Sequence, residues 1–442
     1  MKMKKTVNIL SVLLLSLPAQ PLFSQADSAW TLEKCINYAL TQNITVRKTA
    51  LSTDRSSVTY DQEKSQRLPF VTGSAGQNFS WSKNTLAGSS DFAASNSTNY
   101  SVSAGITLFN GFRINNQIIQ ANLNISSSEY TLAATKESVS LSILNAFLQV
   151  LYAEEQVNNS KKQIESIEEQ LRLAGERLTL KAITVVDYSQ VRSQLASEKL
   201  TLANAGSQLS IARITLMQLM EIPVGGIFNV AHPDLVSLLN VQVNPDVKKV
   251  YETALSIKPQ IRAASLNKEI AALDEKIARG SYYPTISASA GISTGYSSTK
   301  SGGYGSQLND GMFPSAGLSL EIPIYQKNQV KNNIKVAKIG YREAELNETD
   351  TKNQLRKSIE QACQDVIAAQ VNYSASLEKY NSTLESSQLS EEKFNQGIIN
   401  SVDYLVAKTN LIVAESELLQ SKYNLVFSIK ILDFYEGVPL TL

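Results

Sequence analysis

The sequence predicts a mainly α-helical chain with a smaller β portion, arranged as two tandem repeats of long coiled-coil helices, each with a two-stranded hairpin. Three observations lead there: an internal offset of about 216 residues, two very long helical stretches free of proline, and short segments of apolar/polar alternation.

The offset is set by a local match. Glu176-Arg177-Leu178 through Thr184-Val185-Val186-Asp187-Tyr188 aligns with Glu392-Lys393-Phe394 through Asn400-Ser401-Val402-Asp403-Tyr404, and 403−187=216. The same spacing aligns Phe109 with Tyr325, Ile118 with Ile334 and Pro223 with Pro439. Leu68-Pro69 and Tyr283-Pro284 align at 284−69=215. Few positions are identical, and the shared spacing carries the inference. Residues 27–222 form the first copy and 246–442 the second, joined by a 223–245 linker rich in turn formers such as Gly225-Gly226 and His232-Pro233.

Each copy has one plan. A helical stretch (about 32–66 and 246–280) ends at a proline. Two strand-like segments follow (hairpins at about 69–109 and 284–325). A long helix then runs over about 113–180 and 329–396, and a second helix over about 185–220 and 402–435. In the long helices Ile143, Ala146, Val150, Ala153 and Val157 step by threes and fours, as do Ile359, Ala362, Val366, Ala369 and Tyr373. A sustained period of 3.5 argues coiled-coil packing. Leu144, Phe147, Leu148 and Leu151 add a second stripe, so one helix can pack against two neighbours. A helix of this length reaches on the order of 100 Å and must project beyond a compact domain.

The strands alternate cleanly. Tyr100, Val102, Ala104, Ile106 and Leu108 share one face, with Ser, Gly and Thr between them; Ile286, Ala288, Ala290, Ile292 and Ala316, Leu318, Leu320, Ile322 repeat the pattern. Aromatics gather at the ends: Phe70, Phe109, Tyr282, Tyr283 and Tyr325 on one side, Trp81, Tyr100 and Tyr296 on the other. Such girdles suit strands of a membrane barrel. Four strands cannot close one, because the smallest membrane barrels have about eight, and open edges are not tolerated in lipid. Several chains must then pool their strands. The Ser/Gly/Asn-rich segments 82–99 and 297–313 read as outer loops.

The N-terminus fits an exported chain. Lys2, Lys4 and Lys5 precede the short apolar run Val7 to Leu17, followed by Pro18, Pro21 and small residues, so residues 1–26 read as a signal peptide. With 41 basic and 40 acidic residues, loss of three lysines (41−3=38) leaves a net charge of −2. That balance does not favour nucleic acid. No later window reaches the roughly 18 apolar residues of a membrane helix. Two cysteines, Cys35 and Cys363, leave open a disulfide or two buried thiols.

Catalytic chemistry finds no footing. His232 is the only histidine and lies in the linker, where a lone imidazole is more often structural than functional; there is no His/Cys metal cluster, and no Gly-rich phosphate loop joins a strand to a helix. No cofactor or metal is expected. A coiled-coil spacer or surface adhesin competes with a membrane duct, but it does not explain two lipid-suited hairpins at equivalent positions.

The ordered set of features resembles the TolC family of outer-membrane efflux proteins. It is carried by Trp30-Thr31-Leu32-Glu33-Lys34-Cys35-Ile36-Asn37-Tyr38-Ala39-Leu40 with Asn43, the two strand starts, Phe109-Asn110-Gly111, and the turns Leu178 to Tyr188 and Phe394 to Tyr404. The resemblance implies a homotrimer with a 12-stranded outer-membrane β-barrel, continued by a periplasmic α-helical barrel closed by an iris of helix ends. It implies a periplasmic adaptor and an inner-membrane transporter as partners. At the tip it points to Asp403, whose family counterpart belongs to a carboxylate ring, to Phe394 and Gly397, and to Asp187 and Lys181 in the first copy. Val406 stands where the family has a second Asp, and Lys181 where it has Gly. Capping competes with gating here, since Asp187 and Asp403 stand three residues after Thr184 and Asn400. Glu321 is a candidate for the barrel lumen, against a merely solvated position.

Overall fold

A computed structural model describes residues 29–83, 92–223, 228–239 and 242–442. The expected signal peptide lies outside the described residues, as do the tip of the first hairpin and Gly225-Gly226 of the linker.

The chain opens with α1 (Leu32–Gln42) and α2 (Ile44–Ser65), then β1 (Phe70–Lys83), β2 (Phe92–Phe109), α3 (Arg113–Thr179) and α4 (Val185–Leu219). A short α5 (Val236–Leu239) in the linker precedes the second copy: α6 (Val247–Ile257), α7 (Pro259–Gly280), β3 (Thr285–Ser297), α8 (Tyr304–Asp310), β4 (Phe313–Glu321), α9 (Gln329–Asn395) and α10 (Ser401–Glu436). Both long helices have 67 residues.

The first helical stretch of each copy is broken, where the sequence suggested one continuous helix. Asn43 ends α1 and caps α2, its Oδ1 accepting from the N–H groups of Thr45 and Val46. Its Nδ2 donates to Leu219 O at 2.8 Å, tying the break to the end of α4. In the second copy Lys258 takes φ −72°, ψ 123° before Pro259, because proline disfavours a helical predecessor. The hairpin loops also depart from expectation. β1 and β2 extend well into 82–99, and α8 occupies part of 297–313.

The duplication is written in the backbone. Positive φ occurs at Gly111, Phe112, Lys181 and Glu221, and again at Lys327, Asn328, Gly397 and Gly437. Each pair differs by 216, for example 397−181 and 437−221. The helix ends use the same C-cap. Ala182 N donates to Arg177 O at 2.8 Å and Ile398 N to Lys393 O at 2.8 Å. These are the long bonds of a Schellman turn, which needs a left-handed residue just past the helix.

The four strands form one antiparallel sheet in the order β1-β2-β3-β4, so β2 joins β3 across the two copies. One face carries Tyr100, Val102, Ala104 and Ile106 beside Thr294, Ile292, Ala290 and Ala288, continued by Pro314, Ala316 and Leu318. The other carries paired hydroxyls: Thr72 with Ser103 at 2.9 Å, Ser74 with Ser101 at 2.7 Å, Ser80 with Ser95 at 2.8 Å. The apolar face is solvent-exposed in the isolated chain, as at Val71, Val102, Leu318 and Leu320. Phe70 departs from its expected place in a lipid-facing girdle. It pairs with Gly105 on the hydroxyl face and lays its ring over that glycine, where an added Cβ would come within 2.6 Å.

Below the sheet, α3 lies between α2 and α7. Ser128 bonds Ser56 of α2 at 2.9 Å, and Ser127 bonds Asn267 of α7 at 2.8 Å. Farther along, α3 packs on α4 and α10, while α9 packs on α7 and then α10. The main core sits midway, where Phe147, Leu144 and Leu151 of α3 meet Cys35 of α1, Leu216 of α4, Val426 of α10 and Phe228 and Val230 of the linker. Burying each such side chain contributes about 1.5–3 kcal/mol. The linker is pinned there by Trp30 N to Asn229 O and Ala231 N to Trp30 O, at 2.8 and 2.9 Å. His232 adds a contact, with Nε2 3.0 Å from Glu154 Oε2. Cys35 and Cys363 are buried, unpaired and in separate clusters, so no disulfide links them.

Candidate functional site at the helical tip

The site is the end of the molecule farthest from the sheet along the long helices, where α3 turns into α4 and α9 into α10. Both turns begin with the left-handed residue, Lys181 or Gly397. Lys181 therefore adopts the geometry its glycine counterpart has, despite its side chain. Open space surrounds Gly397, so only its φ of 73° resists a larger residue.

The two aspartates differ in their bonds. Thr184 and Asp187 form a full capping box: Asp187 N donates to Thr184 Oγ1 at 3.2 Å, and Thr184 N to Asp187 Oδ2 at 3.0 Å. Asp187 Oδ1 also accepts the hydroxyl of Ser401, which is only 3% exposed. These hydrogen bonds, Ser401 first and Thr184 next, hold the Asp187 carboxyl below the usual carboxylate range. Asp403 offers only its N–H to Asn400 Oδ1, at 2.9 Å. Its carboxylate is exposed and completes no box.

An aromatic stack fixes the second turn. Phe394 lies parallel to Tyr404, with centroids 4.9 Å apart, and the Arg177 guanidinium sits 5.5 Å above the Phe394 ring. Arg177 also donates to Asn395 Oδ1 at 3.1 Å, so a residue of α3 grips the end of α9. Gln170 of α3 donates to the Tyr404 hydroxyl, and burial pushes that phenol upward. A cavity of about 60 Å³ lies between the hairpins, lined in part by Leu173, Ile183, Phe394 and Tyr404.

The tip thus brings Asp187 and Phe394 to one junction and leaves Asp403 free beside it. Exposed Leu180, Val185, Val186, Ile398, Val402 and Val406 surround it. Glu321 is remote, at the end of β4 opposite Thr285, on the face of Ser287, Ser289 and Ser319. Ser401, Gln170 and Arg177 escaped sequence reasoning. The one available signal was Ser401 itself, a polar residue where the first copy has Val185 (401−185=216). Among the described residues no group of three or more His, Cys, Asp and Glu is placed to hold a metal, and no helix is long and apolar enough to cross a membrane.

Known proteins match along most of the chain. The family model described as outer membrane efflux protein covers residues 35–220 and 250–433, one span in each copy. TolC of Escherichia coli K12 is 31% identical over 174 residues, which is 36% of this chain and 34% of that protein. The match to that relative thus spans about a third of its length. The outer membrane efflux protein BepC of Brucella suis is 22% identical over 72% of this chain and 67% of its own. Among solved structures, CusC superposes with a TM-score of 0.78 at 18% identity, over 96% of this chain and 98% of its own. The Campylobacter jejuni CmeC outer membrane channel gives 0.75 at 18% identity, over 98% and 94%.

Proposed function

Because the chain belongs to the outer membrane efflux protein family, we propose that it is one subunit of a homotrimeric exit duct of a tripartite efflux or type I secretion system. The single observation that carries this reading is the open four-stranded sheet. Its apolar face is exposed, the outer edges of β1 and β4 have no partner strand among the described residues, and it leads directly into a wall of long helices. Lipid tolerates neither an open edge nor a lone sheet, so the edges must be satisfied by further copies. Three copies supply twelve strands and close the barrel, with apolar side chains outward and hydroxyls inward. Glu321 then faces the barrel lumen.

The helices continue the duct into the periplasm. α3 already has a neighbour on each side; the outer flanks of α4 and α9 take theirs from adjacent subunits. Conduction is passive, and the energy comes from an inner-membrane transporter joined through a periplasmic adaptor. The tip is the gate. The Asp187–Ser401 link and the contacts of Arg177 with Phe394 and Asn395 hold the two hairpins of one subunit together. The Phe394–Tyr404 stack fixes the second turn, and Lys181 and Gly397 set the two turns. Asp403 supplies one carboxylate per subunit to a ring at the constriction, where carboxylates attract cations and narrow a pore.

Light scattering of the detergent-extracted protein, corrected for bound detergent, tests the reading. Three protomers per particle and ion conductance in a planar bilayer are expected. A stable monomer free of membrane would overturn the duct and leave a coiled-coil spacer.

A further inference from the structure

The sheet end of α9 is basic along one side. Lys331, Lys335, Lys338 and Arg342 follow steps of four, three and four, which at 100° per residue keeps them within an arc of about 60°. Lys327 precedes them, two residues after Tyr325, and no acidic residue occurs between Glu321 and Glu343. All five side chains are exposed. Among the described residues only Lys338 has an ion-pair partner, Glu275 of α7 at 3.9 Å.

The fold does not require this charge. The positions 216 earlier are Gly111, Asn115, Ile119, Asn122 and Ser126, all neutral. They also reveal where such a stripe points. In α3, Gln120 bonds Asp274 of α7 at 2.6 Å and Ser127 bonds Asn267 of α7, while Ser128, 100° farther round, bonds Ser56 of α2. Asn115, Ile119 and Asn122 lie on the remaining, wider arc and stay exposed between two neighbours. In a closed ring the neighbours subtend less than half a turn on the lumen side, so the wider arc faces outward. The stripe on α9 therefore stays uncovered when the trimer closes.

The stripe also continues the apolar face of β4. Exposed Leu318, Leu320 and Ile322 lead through Ile324 and Tyr325 to Lys327. Hydrocarbon-facing residues, an aromatic and then lysines is the order of chemistry met on leaving a bilayer. At about 1.5 Å per residue, Lys331 and Lys335 lie within about 10 Å of the start of α9, near the Debye length at 0.1 M salt.

We infer that this outer face of α9 binds anionic phospholipid headgroups of the leaflet facing the periplasm, anchoring the duct at a set depth. The inference rests on the reading of the chain as a trimeric membrane channel. Lys327, Lys331 and Lys335 make the contact. Each lysine near an anionic surface strengthens binding about fivefold at low salt.

The test uses the full-length trimer in mixed micelles of mild detergent with phosphatidylglycerol or phosphatidylcholine, with retained lipid counted by native mass spectrometry. The wild type should prefer phosphatidylglycerol, and added salt should weaken the preference. Lys327→Gln with Lys331→Gln and Lys335→Gln should lower it on the order of a hundredfold, with trimer mass and conductance unchanged. The charge-matched control Lys248→Gln, Lys249→Gln and Lys357→Gln should retain it. A trimeric, conducting wild type with no lipid preference overturns the inference and leaves the channel reading intact. Equal loss in the control overturns it too. Salt-sensitive binding of polyglutamate without a lipid preference would assign the stripe to an acidic macromolecule instead. A particle that is not trimeric would sink the channel reading first.

Discussion

Ser401, buried at the start of α10, donates its hydroxyl to the Asp187 carboxylate at the start of α4, joining two hairpins across 214 residues of sequence. Its oxygen also lies 2.9 Å from the Gln190 side-chain amide. Ser401→Ala removes this link and leaves the Thr184–Asp187 cap in place. Single-channel recording should show a higher open probability. The melting temperature should change little, because solvent reaches the carboxylate and the bond contributes about 1 kcal/mol.

The same bond sets a pH response. Asp187 has its pKa depressed in the folded tip, so its contribution is complete above the unfolded value of about 3.9 and is lost as pH falls through the folded value. Acidification below about pH 4 should raise open probability in the wild type and do less in Ser401→Ala. Equal pH responses in both proteins would remove Asp187 from the gate.

Asp403 carries a free carboxylate in place of a cap. Asp403→Asn should therefore raise conductance and weaken block by multivalent cations, with little loss of stability. Unchanged block, accompanied by a lowered melting temperature, would leave helix capping as its role.

Lys181 holds φ 58° where its counterpart Gly397 holds 73°. A side chain in the left-handed region costs about 1 kcal/mol relative to glycine. Lys181→Gly should stabilise the protein by up to about that amount, and Gly397→Ala should destabilise it similarly; thermal melts of both variants measure this.

Lys258 is 2% exposed, with Nζ 3.1 Å from the centroid of Phe434 and 3.3 Å from Glu137 Oε2. Burial pulls its ammonium below the usual lysine range, and the Glu137 carboxylate opposes that pull. Lys258→Ala should lower stability by roughly 3–5 kcal/mol in denaturant titration, since it empties the site and leaves Glu137 unpaired. Lys258→Met also leaves Glu137 unpaired but fills the space, and should cost less because that carboxylate is partly exposed to water.

Burial pushes the Cys35 thiol up to about 12 and also raises that of Cys363. Both should resist thiol reagents in the folded protein at pH 8, and two equivalents should react after denaturation. Rapid labelling of Cys35 in the native protein would show that the core around Phe147 opens.

The sequence by itself determined what depends on local periodicity and on repetition. The spacing of Val150 and Val366, the alternation from Tyr100 to Leu108 and the 216-residue offset each follow from positions along the chain; the long helices lie close to their expected bounds, whereas β2 begins at Phe92, ahead of the alternation. Short-range chemistry was legible too: the spacing of Thr184 and Asp187 suggested a capping box, and one forms there. The tertiary structure alone decided which elements meet. The pairing of β2 with β3, the placing of Phe70 on the hydroxyl face, the break at Asn43 anchored to Leu219, and the bond from Ser401 to Asp187 all join residues far apart in the chain. Their partners are selected by packing, and no local pattern encodes that choice. The two aspartates show the division most plainly. They stand at equivalent places in equivalent turns, yet one is bonded across the hairpins and the other is free, because the second copy carries Ser401 where the first carries Val185.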